Sequence, residues 1–177
     1  MTQPNYTLNT IGDNLFSACI NKTNSLIELY DKLHNSSFIT EYLTNNWDTY
    51  YPFFKKGIHT AILEIKQECD EIFKQMINNK DNGIELDSLF KKLSPTYQGN
   101  LPEFRKINPR LILHKNKSWI RVYSIKLPNN IFIITGGAIK VTQAMQDAEW
   151  TNQEWIKLNT IKEFILNSNL EALLMNA

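Results

Sequence analysis

The chain reads as an α+β protein: a helical hairpin packed on a small twisted antiparallel sheet, with a helical N-terminal extension and C-terminal helices. Three observations predict this class. Apolar residues recur at three- and four-residue steps over 58–79. Two apolar strands joined at Pro128-Asn129-Asn130 fill 119–135, and helical periodicity returns after Thr151. At 177 residues, 42% hydrophobic and 21% charged, the chain has ordinary globular composition and room for one domain plus an extension.

Taken in order, residues 13–50 show helical spacing at Leu15, Phe16, Cys19 and Ile20, then at Leu26, Ile27, Tyr30 and Leu33, with Asn35-Ser36-Ser37 as a break. Tyr50-Tyr51-Pro52-Phe53-Phe54 is a joint, because proline disfavours helix in the residue before it. A boundary there separates an extension, 1–54, from a main unit, 55–177. The aromatic end of the extension is expected to pack across the helical hairpin. The clearest helix is 58–79, where Ile58, Ala61, Ile65, Cys69, Ile72 and Met76 share a stripe. Asn78 to Gly83 ends it, and a second helix near Leu86–Leu93 completes the hairpin.

A loop enters a strand around Glu103–Arg105. Strands are then expected at Arg110–His114, Trp119–Leu127 and Ile131–Thr135, with a Gly136-Gly137 break after the last. Thr151-Asn-Gln-Glu154 reads as a capping box opening a helix that buries Trp155, Leu158, Ile161 and Ile165. A short helix near Leu170–Met175 closes the chain.

Several chemistries find no support. Cys19 and Cys69 lie far apart in helical patterns and read as reduced thiols. His34, His59 and His114 have no zinc-type spacing, and neither a Walker sequence nor GxGxxG is present, so no metal and no cofactor is expected. No apolar run is long enough to cross a bilayer and the N-terminus lacks a signal-peptide pattern, so a cytoplasmic protein without a membrane partner is expected.

Charge is informative through its distribution. Net charge is +1, yet Glu103 to Thr142 holds eight basic residues against one acid, +7, which leaves −6 for the remainder. A basic β segment in an acidic helical body implies an anionic partner. In the Trp119–Leu127 strand, period two places Trp119, Arg121, Tyr123 and Ile125 on one face. Lys115 and Lys117 precede that strand, and Lys140 follows the double glycine. Arginine can hold a phosphodiester bidentately, lysines act as point charges, and tyrosine bonds or stacks. The packing alternatives are an ion-paired Arg121 and a core Tyr123. His114 or Tyr123 is the candidate for proton transfer, histidine being the residue type whose free pKa lies near neutrality. With no carboxylate pair in this region, phosphoryl chemistry here is expected to be metal-free: attack by an RNA's own 2′-hydroxyl, with cations stabilising the phosphorane.

The order of elements now resembles a known family. A helical hairpin, then Leu101-Pro-Glu-Phe-Arg105, then Ile120-Arg-Val-Tyr-Ser-Ile125, then an apolar strand and Gly137-Ala-Ile-Lys140-Val-Thr142 is similar to the RelE/HigB-like toxins of bacterial toxin–antitoxin pairs, over roughly 58–145. The resemblance implies mRNA cleavage on the ribosome, translation inhibition, and restraint by a cognate antitoxin protein. By motif position it makes Arg105 and Arg121 the arginines of the catalytic group, and Lys140 an RNA-binding lysine. Lys115 and Lys117 fall where the family tends to be basic. The 1–54 extension, the near-neutral charge and the long C-terminal helical segment depart from the minimal pattern. Two other readings stand beside it: a non-catalytic module that binds nucleic acid or an acidic protein on the basic sheet, and a gyrase-directed toxin of the same fold.

Overall fold

A computed structural model describes residues 2–93, 100–141 and 148–177. Among these residues the chain is α+β, with eight helices around a seven-stranded, mostly antiparallel sheet. In chain order the strands are β1 (Tyr6–Thr10), β2 (Leu15–Ile20), β3 (Thr23–Asn24), β4 (Phe90–Lys92), β5 (Glu103–Ile107), β6 (Ile120–Leu127) and β7 (Ile131–Ile139). Their order across the sheet is β1-β2-β7-β6-β5-β4, with β3 on β2; β2 and β7 are parallel and the other pairs antiparallel.

Between β3 and β4 lie α1 (Ser25–His34), α2 (Ser36–Asn45), α3 (Trp47–Phe54), α4 (Ile58–Asn78) and α5 (Gly83–Leu89). Asparagines start several of the helices: Asn24, Asn35 and Asn82 accept backbone N–H groups at the N-termini of α1, α2 and α5. The hairpin of α4 and α5 forms as the periodicity predicts, but its second helix ends at Leu89, and Phe90–Lys92, expected as helix, form β4. The α4 stripe of Ala61, Ile65, Cys69, Ile72 and Met76 is fully buried in a core with α1, α2 and one sheet face, including Leu15, Val122 and Phe132. The opposite face carries Phe16, Tyr123, Ile125 and Ile133 beneath Leu158, Ile161 and Ile165 of α7 (Glu149–Leu166).

The structure corrects several expectations. Residues 15–20 form a strand rather than helix. Their short run, apolar but for Ser17, fits either element by periodicity, and burial on both faces as a central strand decides it. Because β2 pairs with β7 and Leu33, Leu43 and Tyr50 share a core with α4, residues on both sides of position 54 belong to one packed body. The 1–54 segment is therefore built into the sheet, not appended to it, and its aromatic end forms α3 with Pro52 inside.

Arg110–His114, expected as a strand, is mostly α6 (Pro109–Leu113). Pro109 suits a first helical position because its missing N–H would have no partner there. His114 ends the turn at φ 53°, in the left-handed region. The double glycine does not end β7. The strand runs through it, with a register shift opposite Tyr123 and Ser124. Gly136 has φ +145°, and a Cβ there would strike Glu154 and Lys157 of α7; a Cβ on Gly137 would strike the Arg121 carbonyl. The glycines thus permit close approach of helix and neighbouring strand. The capping box is not formed: α7 starts at Glu149, Thr151 donates to the Ala148 carbonyl, and buried Glu154 pairs with Lys157. A final helix, α8 (Leu170–Met175), follows Asn169 as expected. Thr142, the last residue of the Gly137-to-Thr142 motif, lies outside the described residues.

Candidate anion-binding site

β5 and β6 run side by side, and their register decides which cations can meet. Arg105 stands opposite Ser124, while Lys106 stands opposite Tyr123. Alternation therefore sends Arg105 to the face covered by α4 and α5. Arg121, Tyr123 and Lys106 take the other. The expected convergence of Arg105 with Arg121 does not occur. Arg105 is buried, its Nε donating to Glu103 Oε1 at 2.6 Å and its Nη1 to the Phe90 carbonyl at 2.8 Å. Nη2 also contacts Glu103, and Asp87 of α5 lies 3.2 Å from Nη1. This guanidinium is neutralised and saturated, so it acts as a tie between β5, β4 and α5.

Arg121 is held differently. Its Nη1 donates to three neutral oxygens: Ser118 Oγ at 2.7 Å, the Ile120 carbonyl at 3.0 Å and the Ser118 carbonyl at 3.3 Å. Half-buried, it has no carboxylate within ion-pair distance among the described residues. Around it stand Lys106 and Lys140, both half-buried, and the exposed Lys91, which faces Lys106 across the β4–β5 ladder. These cations act on one another. Burial first, then Arg121, Lys106 and Lys91, push the Lys140 ammonium down to about 8. Lys106 is lowered by burial and then by Lys91 and Arg121; Lys91 by partial desolvation and then by Arg121 and Arg110. Burial lowers Arg121 too, with Tyr123 and the more distant Glu68 working against it. Neither Lys91, Lys106 nor Lys140 has an ion pair among the described residues. Among the described residues the site is electropositive and lacks counter-charge.

Arg121 and Lys140 also line a cavity of about 380 Å³, together with Ser118 and with Thr49, Pro52 and Phe53 of α3. Lys117 borders it too, donating to the Phe53 carbonyl at 3.0 Å with its ammonium 4.6 Å from the centre of that ring.

The remaining candidates scatter. Tyr123 does share the Arg121 face, but it is buried in the core beneath α7, and burial raises its hydroxyl pKa well above the ordinary range. It can support Arg121 but cannot readily exchange a proton with an outside ligand. Trp119 precedes the strand and turns into the opposite core, donating from Nε1 to Glu64 at 2.8 Å and stacking on Phe54. Lys115 pairs with buried Glu68 at 2.5 Å, and Glu68 also accepts the Trp119 N–H, so this pair pins the 115–119 turn. His114 is exposed and lines a separate cavity of about 720 Å³ with Glu68, Asp70, Glu71 and Glu85. It is not part of the cationic site.

Lys91 and Lys106 were absent from the candidates. Their signal was weak, since only strand register makes Lys106 a neighbour of Tyr123. A second constellation was also not visible in sequence. Cys69 Sγ lies 3.8 Å from His34 Nδ1, and His34 Nε2 lies 2.7 Å from Asp70. It has the order of a nucleophilic triad without its chemistry. Cys69 is fully buried, burial pushes its thiol up to about 12, and His34 Nδ1 is engaged with the Tyr30 carbonyl at 2.9 Å.

The described residues hold no group of three or more His, Cys, Asp or Glu placed to bind a metal ion, and no helix among them is long and apolar enough to cross a membrane. No protein family matches the sequence, no curated protein is similar enough to be matched, and no solved structure matches the fold.

Proposed function

We infer that this protein binds the phosphate groups of nucleic acid, RNA foremost, on the sheet face around Arg121 and Lys140. One observation carries the reading: Lys91, Lys106 and Lys140 each have a pKa lowered by burial and then by neighbouring cations, Arg121 among them, and none of the four has a carboxylate partner among the described residues. Like charges held close in a partly desolvated place raise the free energy unless an anion sits among them. A phosphodiester chain supplies anions at regular spacing and matches the guanidinium fork. The test is titration with labelled RNA and, separately, with polyglutamate over a range of salt. RNA affinity should fall steeply with salt. Equal or tighter binding of polyglutamate would move the site to acidic proteins.

A finer reading carries the resemblance forward: a metal-independent endoribonuclease, the toxin of a toxin–antitoxin pair, cutting mRNA on the ribosome until a cognate antitoxin binds it. The order of hairpin, β5, β6 and β7 supports it. So does Lys140, whose lowered pKa leaves part of the amine neutral near physiological pH. That amine can accept the 2′-hydroxyl proton as the oxygen attacks phosphorus and the bond to the 5′-oxygen breaks, while Arg121 stabilises the phosphorane and the departing 5′-oxygen takes a proton from water, leaving a 2′,3′-cyclic phosphate. Arg105, His114 and Lys115 have no part in this version. Transcript integrity in a translating extract, with and without ribosomes, tests it. Intact but bound RNA would leave the binding module, and broken chromosomal DNA in producing cells would point to gyrase instead.

A further inference from the structure

The cavity beside Arg121 has one wall that phosphate binding does not require. α3 supplies Thr49, Pro52 and Phe53 to its lining, and Phe53 remains 41% exposed although it is aromatic. The neighbouring ring of Phe54 is stacked on Trp119, with centroids 3.6 Å apart, so this end of α3 is anchored. The Phe53 ring meets the edge of Phe54 and lies beneath the Lys117 ammonium. An exposed aromatic ring on an anchored helix end, beside cations with no ion pair among the described residues, is the combination that holds a base and its phosphate together.

We propose that α3 turns the cationic site into a pocket for one nucleotide with an unpaired base, the phosphate on Arg121 and Lys140 and the base on the Phe53 ring. The proposal rests on the phosphate-binding reading and adds the substrate class, single-stranded rather than duplex. Volume supports it. About 380 Å³ lies at the small end of the range of ligand pockets, enough for a nucleotide and far too small to enclose a base pair with its backbones. Duplex bases are stacked on each other and offer no face to Phe53, so a duplex could reach only the cations. Lys117 now covers the ring; an arriving base displaces it, and its ammonium, freed from Phe53, moves toward the phosphate.

The test compares the full-length protein with Phe53→Leu, Phe53→Tyr and Arg121→Lys. The probes are a labelled eight-nucleotide RNA, the same strand annealed to its complement, adenosine monophosphate, and inorganic phosphate. The wild type should prefer the single strand. Phe53→Leu should weaken that binding about ten-fold, the size of one lost base–aromatic stack, without altering duplex binding, while Phe53→Tyr retains the preference. Adenosine monophosphate competing as well as the strand would assign the pocket to free nucleotides. Competition by the strand alone would assign it to nucleic acid. Equal binding of strand and duplex, with Phe53→Leu silent and Arg121→Lys still weakening both, overturns the base pocket and spares the phosphate site. Loss of neither on Arg121→Lys overturns both.

Discussion

Arg105 and Arg121 sit on neighbouring antiparallel strands, and both looked like members of one site. The sheet separates them. Arg105 faces α5 and is closed in by Glu103, Asp87 and the Phe90 carbonyl. Arg121 faces the other way, bonds only neutral oxygens among the described residues, and has other cations for company. The same side chain is a structural tie in one place and the proposed anion ligand in the other. Partners make the difference: a guanidinium whose charge is already matched has nothing left to offer an anion.

The largest expected effect breaks the comparison from the Arg105 side. Arg105→Met leaves Glu103 buried without its cation and should cost about 3–5 kcal/mol in urea unfolding. Where the variant remains folded at low temperature, RNA affinity should be unchanged; a large loss of affinity with intact stability would reverse the two roles. Next comes Arg121→Ala. It should weaken RNA binding at least ten-fold, as expected for losing a charge-assisted contact of about 1.5–3 kcal/mol, and shift stability by under about 1 kcal/mol.

Lys140 sharpens the contrast through pH. In the folded protein it loses its proton near 8, against an ordinary 10.5. Anion affinity should hold below pH 8 and decline as pH rises through it. Stability runs the other way: between about 8 and 10.5 the unfolded chain binds the extra proton, so Lys140 makes folding more favourable as pH rises. Lys140→Met should abolish both trends and stabilise the protein at pH 7 by about 1 kcal/mol, less than the full shift because the ammonium is half exposed. A wild-type affinity that stays flat to pH 10 would remove Lys140 from the site.

The smallest effect concerns the rim. Lys91→Gln, at the exposed edge of the cluster, should reduce the slope of log affinity against log salt by about 0.7 for a single strand, with little change at low salt. An unchanged slope would place Lys91 outside the contact. His114→Ala, in the other cavity, should alter none of these readings.

Some of this was legible in sequence. The α4 stripe, the β6–β7 pair about Pro128-Asn129-Asn130, and the sharing of one face by Arg121 and Tyr123 all follow from local periodicity, which a chain carries without reference to distant residues. Lys140 was found from its place shortly after the double glycine. The Leu15–Ile20 strand was missed, since a short, mostly apolar run becomes strand or helix according to what flanks it. Here β1 and β7 flank it.

By itself, then, the sequence determined where the apolar stripes fall, which segments turn, and that positive charge gathers between Glu103 and Thr142. Tertiary structure decided which of those charges are satisfied. Pairing depends on register and on the helix that covers each face, and both join residues far apart in the chain: Asp87 to Arg105, Phe53 to Arg121, Lys91 to Lys106. No local pattern encodes such a meeting, because its free energy exists only once the sheet has brought the groups together.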